Sequence, residues 1–357
     1  MHQLPSILRF VRCALTVAAA VGFALPAASA DWPHFRGPNR NGISPETVPA
    51  NPWPGGEPKI LWKADVGLGH SSFAVADGRA FTAGHADGTD TFFAFDARTG
   101  KLIWKHAYAA ELGDKYYEGG TTGAPTVDGG RVYWSSKWGD VFCFNAADGK
   151  IIWSKQVQKE TGAPVPTWGF TGGPLAHENL LILNIGEAGL ALDKMTGAIV
   201  WKSDTKDAGY SSPLPVKLGD TSQVLLANTE HYLGLDPKTG RELWRHKWLT
   251  QYGVNAADPI VSGDRVFISS GYGKGGVMLD LSSGQPKEAW KTKDLRTQFN
   301  TAVLFEGHLY GTDGDTTSKA ALKCLDFATG RVKWAQPNFG SGGIIIADGK
   351  LIALSGG

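Results

Sequence analysis

The sequence predicts an all-β fold assembled from repeated four-stranded units, and three observations predict it. Tryptophans recur at positions 62, 104, 153, 201, 244, 290 and 334, at intervals of 42 to 49 residues. Each of the last six closes a related segment, clearest as Ala94-Phe95-Asp96-Ala97-Arg98-Thr99-Gly100-Lys101-Leu102-Ile103-Trp104. Between these segments apolar residues alternate with period two, turn residues interrupt them, and no window of helical length is amphipathic. A period in this range marks a stacked or ring-shaped repeat architecture. Four antiparallel strands in about 45 residues make one blade of a β-propeller.

The N-terminal elements precede the repeats. Residues 1–30 read as a secretory signal peptide cleaved after Ala30. Arg9 and Arg12 stand ahead of an apolar run from Ala14 to Leu25, and Ala28-Ser29-Ala30 forms an A-x-A site. That run is too short to span a bilayer, and no longer one follows. The expected location is the periplasm or the exterior, with no transmembrane segment. Residues 31–57 carry four prolines between Pro45 and Pro54 and show no periodicity. They are expected to form an extended Pro/Gly-rich lead-in that wraps the domain surface. The propeller then occupies residues 58–357. Charge is nearly balanced, with 35 basic and 34 acidic residues, which argues against a nucleic-acid partner.

Each repeat has the same internal order. An innermost strand begins with small residues, as in Ser71-Ser72-Phe73, Gly172-Gly173-Pro174 and Ser211-Ser212-Pro213. The crowded axis explains their size. Hairpin turns such as Asp77-Gly78 and Asp348-Gly349 follow, where glycine supplies a positive φ. The third strand leads into the motif aspartate, whose side chain can accept from the turn amides. The fourth ends on the tryptophan, which is large enough to bridge to the next blade. Cys143 and Cys324 occupy the first motif position, where other copies carry Ala94 and Ala191. Equivalent positions in different blades lie beyond disulfide reach, so both read as small buried residues. Six units are complete, and residues 341–355 supply two strands of a seventh. Trp62 reads as a lone outer strand that closes the last blade.

The repeat from Ala94 to Trp104 resembles the tryptophan-docking motif of pyrroloquinoline-quinone-type (quinoprotein-type) propellers. That group includes quinoprotein alcohol dehydrogenases and the lipoprotein scaffold of the outer-membrane β-barrel assembly machinery. The segment Trp32-Pro33-His34-Phe35-Arg36-Gly37-Pro38-Asn39-Arg40-Asn41-Gly42 is similar to that of exported planctomycete-type quinoprotein-like propellers. The resemblance covers residues 31–357 and implies eight blades in a full-length chain, so this one reads as truncated at its C-terminus. It is specific for the fold and weakly so for activity.

Several motif lookalikes read as structure. Gly271-Tyr272-Gly273-Lys274-Gly275-Gly276 fits G-x-G-x-x-G without a following helix, and a hairpin turn explains it. Asp87, Asp90, Asp313 and Asp315 lie in Gly-rich stretches without calcium-loop spacing and read as solvated turn residues. The candidate site is a funnel at the axis. Loops leading into the innermost strands carry Tyr117, Trp168, Phe170, Tyr210, Tyr252, Phe299 and Phe339 at about one phase. His70, Glu118, Asn255, Asp258, Gln298 and Asn300 lie beside them. Such rings can stack on a planar ligand while polar neighbours orient it, and packing between blades is the competing reading. The dehydrogenases resembled here imply adjacent cysteines, a carboxylate base and a calcium set. No residue of this chain matches those roles. The expectation is an exported non-catalytic propeller, requiring no cofactor or metal, that binds a protein partner in the envelope or a small ligand in the funnel. The alternative is a periplasmic alcohol or sugar oxidoreductase using the quinone with calcium.

Overall fold

The computed structural model describes residues 30–314 and 319–355. The signal-peptide reading, apart from Ala30, and Asp315 lie outside the described residues. Six four-stranded antiparallel sheets follow one another along the chain, at 74–109, 126–156, 175–202, 214–247, 260–292 and 303–336. Each takes its strands in sequence order, the up-and-down meander of a propeller blade. A seventh sheet holds Ile344–Ala347 and Lys350–Ala353. First strands of neighbouring blades lie against one another, as in blades one to four, which places them around the axis.

Local chemistry sets the blade. The hairpin Asp77-Gly78 has φ values of 49° and 71°, and Asp348-Gly349 has 50° and 68°. Two successive positive φ angles match the right-handed twist of the flanking strands. At the motif turn, Asp96 Oδ1 accepts from the backbone N–H groups of Arg98 and Thr99 and from the Thr99 hydroxyl, at 2.7–3.2 Å. Asp193 repeats all three bonds. Asn145 replaces the aspartate in blade two and still accepts from Ala147 and Asp148.

A β-bulge recurs just after the first motif residue in six blades. It sets that residue directly across from the tryptophan: Ala94 opposite Trp104, Cys143 opposite Trp153, Cys324 opposite Trp334. A small side chain there leaves room for the indole. The buried cysteines are free, and burial raises both thiol pKa values.

The indoles join the blades. Trp104 donates Nε1–H to the Ala146 carbonyl, Trp153 to that of Lys194, and Trp201 to that of Pro237, at 2.9–3.1 Å. Each acceptor lies one residue past the motif Asp or Asn of the next blade. The rings cover Gly149, Gly197 and Gly240, where an added Cβ would come within 2.5–2.8 Å of the indole. The motif glycine is therefore required twice, by its positive φ and by the ring above it. Trp244 departs from the pattern and donates to Gln223 Oε1 in its own blade, at 2.8 Å. Two departures in the sequence accompany this. Gly234 replaces the first alanine and admits the indole, and two extra residues follow Gly284 in the next turn, which lies open. The core is accordingly a series of layers between blades. Phe81, Phe92 and Trp104 of blade one meet Trp134 and Phe144 of blade two, and deleting a ring of this kind costs about 3–5 kcal/mol.

Three features differ from expectation. Residues 58–67 form no strand, and Trp62 does not close the last sheet. Its indole donates to the Ala97 carbonyl at 3.0 Å and covers Gly100, so it serves blade one as the other tryptophans serve theirs. The lead-in supplies the seventh sheet from the opposite side, where Ile43–Ser44 pairs in parallel with Ile346 and Ala347. Its first half does not wrap the surface. Arg36, Gly37, Arg40 and Gly42 are buried. Trp32 pairs with Val75 of blade one, the Pro33 carbonyl accepts from Val127 of blade two, and Arg36 reaches the Ala302 carbonyl beside blade six. The segment thus lies across the end of the axis where the inner strands finish. A one-turn helix, Val157–Thr161, adds the only helical element among the described residues.

Candidate functional site

The loops leading into the inner strands gather at the other end of the axis. Two aromatic groups form there. In the first, Trp168 packs edge-on against Tyr210, with centroids 5.7 Å apart, and also meets Tyr116 at 6.1 Å. Beside it His70 lies 5.6 Å from Tyr117 and pairs with Glu118 at 3.3 Å. In the second, Tyr252 packs edge-on against Tyr272 at 5.0 Å. Tyr116 and Tyr252 are each 59% exposed and Phe299 is 52% exposed, so these rings face solvent. Burial raises the Tyr117 and Tyr210 pKa values to about 12, which keeps both phenols neutral hydrogen-bonding groups.

Other predicted residues sit elsewhere. Phe170 is buried between blades two and three, and Phe339 packs on the last two sheets. Asn255 is fully buried. Its Nδ2 donates to the Asn228 and Trp248 carbonyls, both at 2.9 Å, and its Oδ1 accepts from Ser270. Asn300 is engaged with Ser341 at 3.1 Å. Asp258 is buried deep at the axis, where its Oδ1 accepts from the Ser212 backbone N–H at 2.8 Å. Burial raises its pKa against the opposing effect of Arg36 and Arg40. Gln298 is buried, and its Oε1 has no partner.

Two of the aspartates read as solvated turn residues are buried instead. Asp90 accepts from His85 Nδ1 at 2.7 Å and from the Tyr108 hydroxyl at 3.2 Å. Asp313 binds Arg296 through both oxygens and meets Lys323 at 2.7 Å. Strand ends running past the Gly-rich turns put both inside. Among the described residues no group of three or more His, Cys, Asp or Glu side chains could hold a metal ion. Of the polar side chains nearest the axis, Asn255 and Asp258 are engaged with protein partners, whereas Gln298 Oε1 is not.

The sequence missed Lys137, which is 2% exposed. Its ammonium donates to the Leu112 and Gly113 carbonyls and to the Tyr117 hydroxyl, at 2.5–3.3 Å, and so fixes the loop that carries the first aromatic group. Tyr116 and Tyr272 were missed because they fall outside the repeat phase. The Gly271–Gly276 stretch is the hairpin turn expected of it, and it carries Tyr272.

What the site offers is a rim of aromatic rings, all with an apolar face and, Phe299 apart, a polar tip. Such rings dominate contact energy in protein interfaces.

The fold has known relatives. No curated protein sequence matches the chain. Among solved structures, BamB from Moraxella catarrhalis aligns with a TM-score of 0.59 at 17% identity, over 80% of each chain. A europium-containing methanol dehydrogenase aligns with a TM-score of 0.63 at 14% identity, over 90% of this chain and 81% of the other. At these identities the likeness speaks to the fold. The family model for the outer membrane protein assembly factor BamB matches residues 56–121 and 115–336. With the blades, bulges and turns described above, the chain belongs to this family of pyrroloquinoline-quinone-like β-propeller repeat proteins.

Proposed function

We propose that the chain is an exported, non-catalytic β-propeller that works in the cell envelope, periplasmic or secreted, as a scaffold for a protein partner. The observation that carries this reading is the exposed aromatic rim, on loops tied down by the buried hydrogen bonds of Lys137 and Asn255. Tyr116, Tyr252 and Phe299 present apolar area to solvent, with Trp168 and Tyr210 half-buried beside Tyr116, while Lys137 and Asn255 hold the backbone beneath them. A surface prepared in this way binds with little loss of conformational freedom. Membership of an assembly-factor family supports the same reading. No helix among the described residues is long and apolar enough to cross a membrane.

The competing chemistry is quinone-dependent alcohol or sugar oxidation, and it has a direct test. The purified protein is incubated with pyrroloquinoline quinone and Ca²⁺, then assayed for cofactor absorbance and dye-linked oxidation of primary alcohols and aldoses. The scaffold reading expects no saturable uptake and no turnover above the cofactor alone. Turnover that saturates with quinone would replace it with the oxidoreductase.

A further inference from the structure

The lead-in closes its end of the axis around more positive charge than it neutralises. Arg36 and Arg40 are both buried, at 9% and 8% exposure. Both adopt left-handed backbone conformations, with φ of 64° and 53°. A non-glycine residue there costs energy and persists where the surroundings enforce it. The turn is therefore held in a conformation that sends both guanidiniums inward. Arg36 spends Nη2 on the Ala302 and Asn41 carbonyls, at 2.8 and 3.2 Å. Arg40 has no side-chain hydrogen-bond partner among the described residues, and its Nη2 is buried without one.

Asp258 is the acidic group whose charge acts on both arginines, without an ion pair to either, so two buried cations share the influence of one buried carboxylate. Burial also raises the Asp258 pKa, which weakens that compensation. His34 records the same imbalance. Burial and then Arg40 push its pKa down to about 4, and its Nδ1 is also buried without a partner. A buried charge without full compensation is costly, and an unpartnered guanidinium N–H is a strong donor to an oxyanion.

Beside these groups lies a cavity of about 350 Å³, whose polar lining is Arg36, Asn39, Arg40, Asn41 and Lys217. Leu214, Val216, Ile260 and Leu304 supply apolar wall. Cationic groups together with aliphatic wall describe an amphipathic guest. A guanidinium matches a carboxylate in planar, two-pronged geometry.

We propose that this cavity is a binding site for a small organic carboxylate with an aliphatic body, its carboxylate on Arg40 and its chain against Leu214, Val216 and Ile260. The site lies at the opposite end of the axis from the aromatic rim and stands independently of the scaffold reading.

Hexanoate is the probe and hexan-1-ol its neutral counterpart, both titrated into the intact protein by calorimetry at fixed ionic strength. Saturable binding of hexanoate, with hexan-1-ol at least about tenfold weaker, is the expected result for a charge-assisted contact. Arg40→Gln should weaken hexanoate by about tenfold or more on the same grounds. Val216→Trp fills the cavity without touching a charge and should abolish binding while the protein keeps its cooperative unfolding, so a folding defect in the arginine variant leaves the test intact. Equal affinity for acid and alcohol, undiminished binding in Val216→Trp, or no saturable binding by the unaltered protein would overturn the proposal.

Discussion

At one end of the axis aromatic rings stand half in water on loops that join the blades. At the other, a non-repeating segment buries two of its own guanidiniums near a carboxylate of the repeats. The first end is assembled from the repeat, since each blade delivers one loop at the same phase. The second is assembled against it, by a stretch that occurs once and crosses several blades. The contrast separates two tasks. Exposed rings on fixed loops add little to folding and leave apolar area free for a partner. Buried polar contacts over a span of 266 residues, as between Arg36 and Ala302, tie the start of the chain to its sixth blade.

Stability should therefore fall most steeply for changes under the lead-in. Arg36→Ala removes a large buried side chain and leaves the Ala302 carbonyl without its donor. A loss of about 3 kcal/mol or more is expected in urea unfolding, with the aromatic rim unchanged. A loss below about 0.5 kcal/mol would show that the segment merely rests on the ring.

Lys137 is the funnel end's own buried cation, and it sharpens the comparison. Lys137→Met strands two carbonyls and a phenol, for an expected cost of about 1–3 kcal/mol. Amide exchange should rise across residues 111–119 and stay unchanged across 36–42. Uniform acceleration would mean that the two ends are one cooperative unit.

Two buried carboxylates differ in sign. Burial dominates at Asp258 and raises its pKa. At Asp313 burial is outweighed by the hydrogen bonds from Arg296 and Lys323, and the pKa is depressed. A depressed pKa stabilises the fold above the unfolded value, near 4, and that gain is lost as pH falls through the native value. Asp313→Asn should thus be less stable than the parent at pH 7, with the gap closing below about pH 4. A gap that is constant with pH would assign the loss to packing instead of charge.

The smallest effect is expected at the rim. Tyr252 is 59% exposed, and Tyr252→Ala should change stability by no more than about 0.5 kcal/mol. A larger loss would make the ring part of the core.

The repeat made the blades legible. Asp96, Gly100 and Trp104 recur because each turn needs its acceptor, its left-handed residue and its covering indole. The same rule explains Cys143 and Cys324 through their cross-strand tryptophans. Even the exception at Trp244 had a written signal in Gly234 and the lengthened turn. What recurs once has no pattern to betray it. Arg36 and Arg40 stand in an Asn-, Gly- and Pro-rich turn that reads as surface, and only partners far along the chain bury them. Lys137 and Asp90 were hidden likewise, because a charged residue near glycines reads as solvated until the strand continues inward. Of the predicted funnel residues, Trp168, Tyr210 and Tyr252 share one phase and stand at the rim. Asn255 and Asp258 follow Tyr252 in the chain but are buried in the interior.

The measurement that bears most directly on the division between the two ends is site-specific photocrosslinking in living cells. A photoreactive phenylalanine analogue is placed at Tyr252 on the rim or at Asn39, exposed beside the lead-in turn. The account predicts a discrete protein adduct from position 252 and none from 39. An adduct from position 39 alone, or none from 252, would contradict it.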